Sequence, residues 1–168
     1  MNNIIDELNK IEYGWLDKNN NIQKEVNNLF SDNYILESPE QVIKNKVGVC
    51  WDQVELEREL FEKKNIKFNT YFIVHYDNDK CPTHTFLIYE NTNKYYWFEH
   101  SWGVFKGIHE YKNELEALKD IKEKFIKYEL NSKYNPMNLC IYKYDKPKYG
   151  ISCLEFYKHC EKGKNLTI

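Results

Sequence analysis

Three consecutive stretches of the chain are rich in β-branched and aromatic residues and are separated only by short polar segments. They cover residues 68–75, 84–90 and 94–99, and the second and third are joined by the turn 91–93, Asn-Thr-Asn. Strand-like runs separated by so short a turn are typical of an antiparallel hairpin. The sequence therefore predicts an antiparallel sheet in the middle of the chain.

Helical patterns flank these strands on both sides. Apolar spacing and capping signals predict helices over 3–16, 20–30, 38–45, 50–64, 109–128 and 152–161, a further strand over 138–144 and a loop over 77–82. The clearest helix start is Ser38, followed by Pro39 and by Gln41, which completes a capping box. Helices followed by strands and then a helix indicate an α+β fold, and the length suits one domain over 1–168.

Charge and cysteine usage exclude several classes of protein. The net charge is −2 with acids and bases mixed, so the chain lacks the basic field that nucleic acid or an anionic membrane would need. No apolar run approaches the ~20 residues of a membrane span, and the N-terminus does not read as a secretory signal. Five cysteines, an odd number, argue against a disulfide framework and favour the reducing cytoplasm. The sequence does not indicate the oligomeric state.

Cys50 stands at the start of a predicted helix, after Gly48 and Val49. The free N–H groups and the dipole at a helix N-terminus favour a thiolate over a thiol, and the same groups can bind an oxyanion. A nucleophilic cysteine needs both properties. The competing interpretation is a small buried apolar side chain, which is the more common role of a cysteine.

His84 and Glu99 provide the partners that such a nucleophile requires. His84 opens the second strand and Glu99 closes the third, so a hairpin that turns at 91–93 brings both to the same end of neighbouring strands. The imidazole could then accept the thiol proton, and the carboxylate could fix the tautomer and orientation of the imidazole. Taken singly, each residue would more often be structural or solvated.

The run GVCWDQVELERELFEKKNIKFNTYFIV and the segment HTFLIYENTNKYYWFEHSWG together resemble the transglutaminase-like proteins. The resemblance covers about 38–103. It implies a papain-like core in which the cysteine helix packs on an antiparallel sheet, with a triad of Cys50, His84 and Glu99. The family's usual acid is aspartate, so Glu99 is a departure. The resemblance implies a cysteine peptidase or amidase, or a transglutaminase-like acyl transferase, without metal or organic cofactor.

Three further residues are candidates for the substrate cleft. Asn45 is the candidate for a second oxyanion donor beside the Cys50 backbone N–H. Trp51 and Trp102 could wall a substrate channel, although core packing is the more common role for each. The expected substrate is a peptide, a protein or a small amide.

Other interpretations of these residues stay open at this level. Cys81 and His84 have the spacing C-x2-H and could bind zinc with His75 and Cys50, but the spacing between the pairs matches no common zinc module. The order Cys-His-acid also resembles arylamine N-acetyltransferases, which are longer chains with Arg-Gly-Gly before the cysteine. A transglutaminase-like binding module without catalysis is the third alternative, favoured by Glu99.

Overall fold

The computed structural model describes residues 1–26, 28–77, 81–130 and 135–168. The helices in these ranges are α1 (Asn2–Leu8), α2 (Asn28–Asn33), α3 (Pro39–Asn45), α4 (Cys50–Lys63), α5 (Glu114–Glu129) and α6 (Cys153–Glu161). The strands are β1 (Glu12–Tyr13), β2 (Trp15–Leu16), β3 (Ile22–Gln23), β4 (Val47–Gly48), β5 (Phe68–His75), β6 (Thr83–Asn91), β7 (Lys94–Glu99), β8 (Gly107–Tyr111), β9 (Leu139–Tyr144) and β10 (Lys164–Asn165).

The main sheet has six strands in the order β10-β9-β5-β6-β7-β8, and every neighbouring pair is antiparallel. Helix α4 packs against β5 and β6, so the helix that begins at Cys50 lies on this sheet. The architecture is α+β, as the sequence predicts.

Strand β5 is buried on both faces, which explains why its sequence is a nearly continuous apolar run. Phe72 and Val74 pack in one cluster with Trp51 of α4 and Phe156 of α6. The alternate residues of β5 pack in a second cluster with the apolar stripe of α5: Tyr71, Ile73, Ala117, Leu118, Ile121 and Phe125. A third cluster joins α1, α3 and α4 to β6 and β7. The sheet is therefore sandwiched between helices.

The bounds of the elements that surround the predicted site agree closely with those predicted from the sequence. Helices at 39–45 and 50–63 and the strand at 68–75 lie where they are predicted, and Ser38 forms the capping box with Gln41. The hairpin strands, the strand at 139–144 and the helix at 153–161 also agree within one residue at each end. Residues 78–80 of the predicted loop lie outside the described residues.

The prediction of a helix over 3–16 is wrong beyond its first turns. Helix α1 ends at Leu8, and the chain continues as β1 and β2 on either side of Gly14. A Cβ at Gly14 would lie 2.7 Å from the carbonyl oxygen of Gln23, so this close approach requires glycine. The apolar spacing of Ile4, Leu8 and Ile11 serves one buried cluster although only part of it is helical.

Two other helix predictions also need correction. The segment 20–30 contains strand β3 and only the start of α2, and its residue 27 lies outside the described residues. The helix predicted over 109–128 begins later, at Glu114 with Asn113 as its cap, because 107–111 pairs with β7 as an edge strand. In both cases pairing with the preceding strand, β2 for β3 and β7 for the edge strand, overrides the local helical pattern.

Within the described ranges, no helix is both long and apolar enough to cross a membrane. All five cysteines belong to these ranges and all five thiols are free.

Candidate active site

The backbone immediately before Cys50 is held in a tight conformation. Lys46 ends α3 in the left-handed region, with φ of 56°, and β4 then pairs in parallel with β1. A Cβ at Gly48 would lie 3.0 Å from the Asp52 Cβ, so a larger residue here would require the strand and the helix to move slightly apart. Cys50 follows as the first residue of α4, where backbone N–H groups have no partner within the helix.

Asp52 holds this turn from within the helix. Its carboxylate accepts hydrogen bonds from the Val49 N–H at 3.0 Å, the Glu37 N–H at 3.0 Å and the Tyr34 hydroxyl at 2.6 Å. Burial raises the pKa of Asp52 to about 7, although these hydrogen bonds act to lower it. One buried side chain thus ties α4 to the segments on both sides of α3.

A second hydrogen-bonded connection, between Gln53 and His100, joins the start of α4 to the end of β7. Gln53 Nε2 donates to the Gly48 carbonyl at 2.8 Å, and Gln53 Oε1 accepts from His100 Nδ1 at 2.7 Å. Burial lowers the pKa of His100 to about 4, so this imidazole is neutral near pH 7. These two hydrogen bonds fix His100, the residue after Glu99, relative to the turn that precedes Cys50.

The hairpin brings His84 and Glu99 into direct contact. The carboxylate Oε2 lies 2.7 Å from His84 Nε2, and both side chains are buried. The other carboxylate oxygen accepts from the Trp102 N–H at 2.7 Å and the Ser101 hydroxyl at 3.0 Å. Burial opposes ionisation of Glu99, but the His84 charge and these hydrogen bonds outweigh it and lower the pKa of the carboxyl group.

His84 also interacts with Cys50. Burial disfavours the charged imidazole, but the Glu99 charge and hydrogen bonds with Cys50 and Glu99 prevail and raise the pKa of His84 to about 10. Because Glu99 occupies Nε2, Nδ1 is the ring nitrogen left to exchange a proton with the thiol. The structure therefore brings all three predicted residues together.

The three candidate cleft residues have different surroundings. The Trp102 ring is half-buried, with its centroid 5.0 Å from that of His84, so it covers the imidazole on one side. Trp51 is only 3% exposed and packs among Phe30 and Phe156, which is a core position. The Asn45 amide donates to Glu37 Oε1 at 2.7 Å and is already engaged there.

The sequence did not predict the hydrogen bonds of Asp52, or those of Gln53 with His100, that position the site. The only signal for Asp52 was its position in the first turn of α4, and His100 had no partner visible in the sequence. Gln53 is a polar side chain on an otherwise buried stretch of helix, which is the kind of position that could have indicated it.

Among the described residues, no three His, Cys, Asp or Glu side chains are arranged to hold a metal ion. His75 Nε2 accepts from the Asn135 N–H at 3.3 Å, and His84 is bound to Glu99. The contacts of both histidines are therefore with the protein itself.

A family model described as a transglutaminase-like domain matches residues 3–128. Since the match covers well over half of the 168 residues, the chain belongs to the transglutaminase-like domain family. No curated protein matches the chain.

Proposed function

We propose that this protein is a thiol-dependent acyl-transfer enzyme that acts on an amide or peptide carbonyl, with Cys50 as nucleophile, His84 as acid and base, and Glu99 as the orienting residue. The observation that carries the proposal is a buried imidazole that lies 2.7 Å from a buried carboxylate and also interacts with a thiol at a helix N-terminus. Nucleophile, base and orienting group in this order are the usual signature of covalent catalysis by a thiol.

The charge of His84 supports its proposed role as the acid. An imidazole whose pKa is raised to about 10 holds its proton near neutral pH and has it available for the leaving amine. Glu99 is buried and accepts from Nε2, which stabilises the imidazolium and fixes the direction of the ring.

The proposed reaction has two halves. The Cys50 thiolate attacks the carbonyl carbon, a C–S bond forms, and the carbonyl oxygen becomes an oxyanion at the start of α4. The tetrahedral intermediate collapses as the C–N bond breaks, and His84 gives its proton to the leaving amine. Water or a second amine then attacks the thioester, His84 takes its proton, and the C–S bond breaks to restore the thiolate.

A chromogenic ester, 4-nitrophenyl acetate, tests this proposal together with iodoacetamide. We expect Cys50-dependent release of nitrophenol, and alkylation of Cys50 well ahead of Cys81, Cys140, Cys153 and Cys160, each followed by peptide mass mapping. Cys50→Ala should abolish turnover, and Cys153→Ala is the matched control that should not. Ester turnover that survives Cys50→Ala would show that Cys50 is not the nucleophile. Absence of turnover together with alkylation of Cys50 no faster than that of the other thiols would favour a binding module instead.

The acceptor is tested in the same assay. Adding an alkylamine such as cadaverine gives an acylated amine if the thioester is resolved by transfer, and only acetate if it is resolved by water. We propose hydrolysis as the main outcome for a chain of this size, with a peptide, a protein or a small amide as natural substrate.

A further inference from the structure

The proposed reaction leaves one requirement unassigned, which is a second donor for the oxyanion. The Cys50 backbone N–H at the start of α4 supplies the first. The side-chain donors nearest in sequence are engaged elsewhere: Asn45 donates to Glu37 and Gln53 donates to the Gly48 carbonyl. The Ser101 hydroxyl, on the other side of the site, donates to Glu99.

Tyr13 is held next to the cysteine turn by strand pairing. Strands β1 and β4 are parallel, with Tyr13 opposite Gly48, two residues before Cys50. Backbone hydrogen bonds fix this register on both sides, from the Glu12 N–H to the Lys46 carbonyl at 2.9 Å and from the Gly14 N–H to the Gly48 carbonyl at 3.4 Å.

The pairing also defines how closely the two segments approach each other. A Cβ at Gly14 would lie 3.1 Å from Val47 Cγ2, so the residue after Tyr13 packs closely on the strand that leads to Cys50. The backbone at Tyr13 is therefore held beside the segment that carries the nucleophile.

The Tyr13 hydroxyl has no hydrogen-bond partner among the residues that the structure describes, and the residue is 41% exposed. Burial of the hydroxyl, and then the negative charges of Cys50, Glu129, Asp52 and Glu99, raise its pKa, so the group stays protonated near neutral pH. A protonated hydroxyl that the strand pairing holds beside the Cys50 segment, and that has no acceptor among the described residues, has the properties that a developing oxyanion requires.

We propose that Tyr13 is a catalytic residue whose hydroxyl donates the second hydrogen bond to the oxyanion, from a strand far from Cys50 in sequence; the role rests on the proposed function of the site. The hydroxyl keeps its proton throughout, so it stabilises the intermediate without entering the proton transfers of His84. The carbonyl oxygen of the substrate then lies between the start of α4 and the end of β1.

Tyr13→Phe removes this one hydroxyl and keeps the ring that packs at the surface. With 4-nitrophenyl acetate we expect kcat to fall on the order of 10- to 1000-fold while KM stays within about twofold, because the lost bond exists only after attack on the carbonyl. Alkylation of Cys50 by iodoacetamide should keep the wild-type rate, since that reaction forms no oxyanion. Tyr96→Phe is the matched control, because its hydroxyl binds Glu110 on the far part of the sheet.

The outcomes separate this role from the proposed function. Turnover that depends on Cys50 and is unchanged in Tyr13→Phe overturns the role of Tyr13 alone. An equal loss of turnover and of iodoacetamide reactivity in Tyr13→Phe also overturns it, because the ring would then only support the structure of the turn. Ester turnover that survives Cys50→Ala overturns the proposed function and, with it, the oxyanion site.

Discussion

Replacing Glu99 with glutamine changes one atom at the centre of the site and removes its negative charge. The carboxylate accepts from His84 Nε2 with one oxygen and from the Trp102 N–H with the other, each at 2.7 Å. An amide has a single oxygen, so it can satisfy only one of these two donors. The consequence for catalysis follows from which donor it satisfies.

If the amide oxygen faces Trp102, the NH2 group faces His84 Nε2, which must then accept. The proton of a neutral imidazole would sit on Nδ1, the nitrogen that has to take the thiol proton, and the imidazolium could not form. If the oxygen faces His84 instead, the Trp102 N–H meets an NH2 group and loses its acceptor. A lost charge-assisted hydrogen bond and an unpaired buried donor each cost ~1–3 kcal/mol.

We therefore expect Glu99→Gln to lose ~2–4 kcal/mol of transition-state stabilisation, or roughly 30- to 1000-fold in kcat/KM. The assay is ester hydrolysis followed across pH, with a thermal melt to show that the variant is folded. Because the Glu99 charge helps raise the pKa of His84, the basic limb of the profile should move to lower pH in the variant. Ser101→Ala is the matched control, since it removes one donor to Glu99 and keeps the charge.

A Glu99→Gln enzyme within about threefold of wild type, with an unmoved basic limb, would refute this reasoning. Another group would then have to orient His84. A large loss in the Ser101→Ala control would mean that the position of the carboxylate, more than its charge, controls the imidazole.

Three other predictions concern the buried polar groups of α4. Glu57 is buried, and burial raises its pKa well above the usual value of 4.5, so its contribution to stability is complete below about pH 4.5 and declines as the pH rises. Glu57→Gln should therefore gain stability relative to wild type as the pH is raised above about 4.5 in urea titrations, and a difference that stays constant with pH would contradict this. Asp52→Asn should lose ~1–3 kcal/mol of unfolding free energy, because an amide cannot accept all three hydrogen bonds that the carboxylate accepts. The variant should also alkylate Cys50 more slowly, and an unchanged alkylation rate would show that the turn before Cys50 keeps its shape without Asp52. Arg58→Met should lose ~3–5 kcal/mol, because the buried Glu55 charge would lose its ion-pair partner and keep only the hydrogen bond from the Tyr144 hydroxyl. Glu55→Gln in the same chain should recover part of the loss in a melting experiment.

The part of the site that the sequence predicts depends on local signals. A cysteine at a helix start, a histidine at a strand start and an acid at the end of the next strand are each marked by residues within a few positions. The turn, predicted at 91–93 and found at 92–93, then fixes the hairpin register, which brings His84 and Glu99 to the same end. Short-range chemistry is enough to define this half of the arrangement.

The part that the sequence does not predict depends on contacts between distant segments. Tyr13 pairs with Gly48 across 35 positions, and nothing near Tyr13 indicates that pairing; the local apolar spacing favours a helix there. The same holds for Tyr111, which pairs with Tyr95 at the sheet edge where the pattern favours the start of α5. Side-chain hydrogen bonds such as the one between Gln53 and His100 also depend on the folded structure and are not predicted by the sequence.

The hairpin register explains why a glutamate can occupy the position of the family's usual aspartate. The last paired residues are Leu87 and Phe98, so continuing the register puts Glu99 opposite Phe86, two residues from His84 along the strand. Diagonal neighbours of this kind are ~7–8 Å apart, and the additional methylene of glutamate helps the carboxylate to reach Nε2 and the Trp102 N–H together.

Glu99→Asp keeps the charge but shortens this reach, so one of the two hydrogen bonds should lengthen or break. We expect kcat/KM to fall less than in Glu99→Gln, by roughly 10-fold for about 1.4 kcal/mol, with the basic limb of the pH profile displaced only slightly. The comparison separates charge from reach, because the two variants change one property each. A Glu99→Asp enzyme as impaired as Glu99→Gln would mean that the length of the side chain dominates, and that this hairpin register requires glutamate.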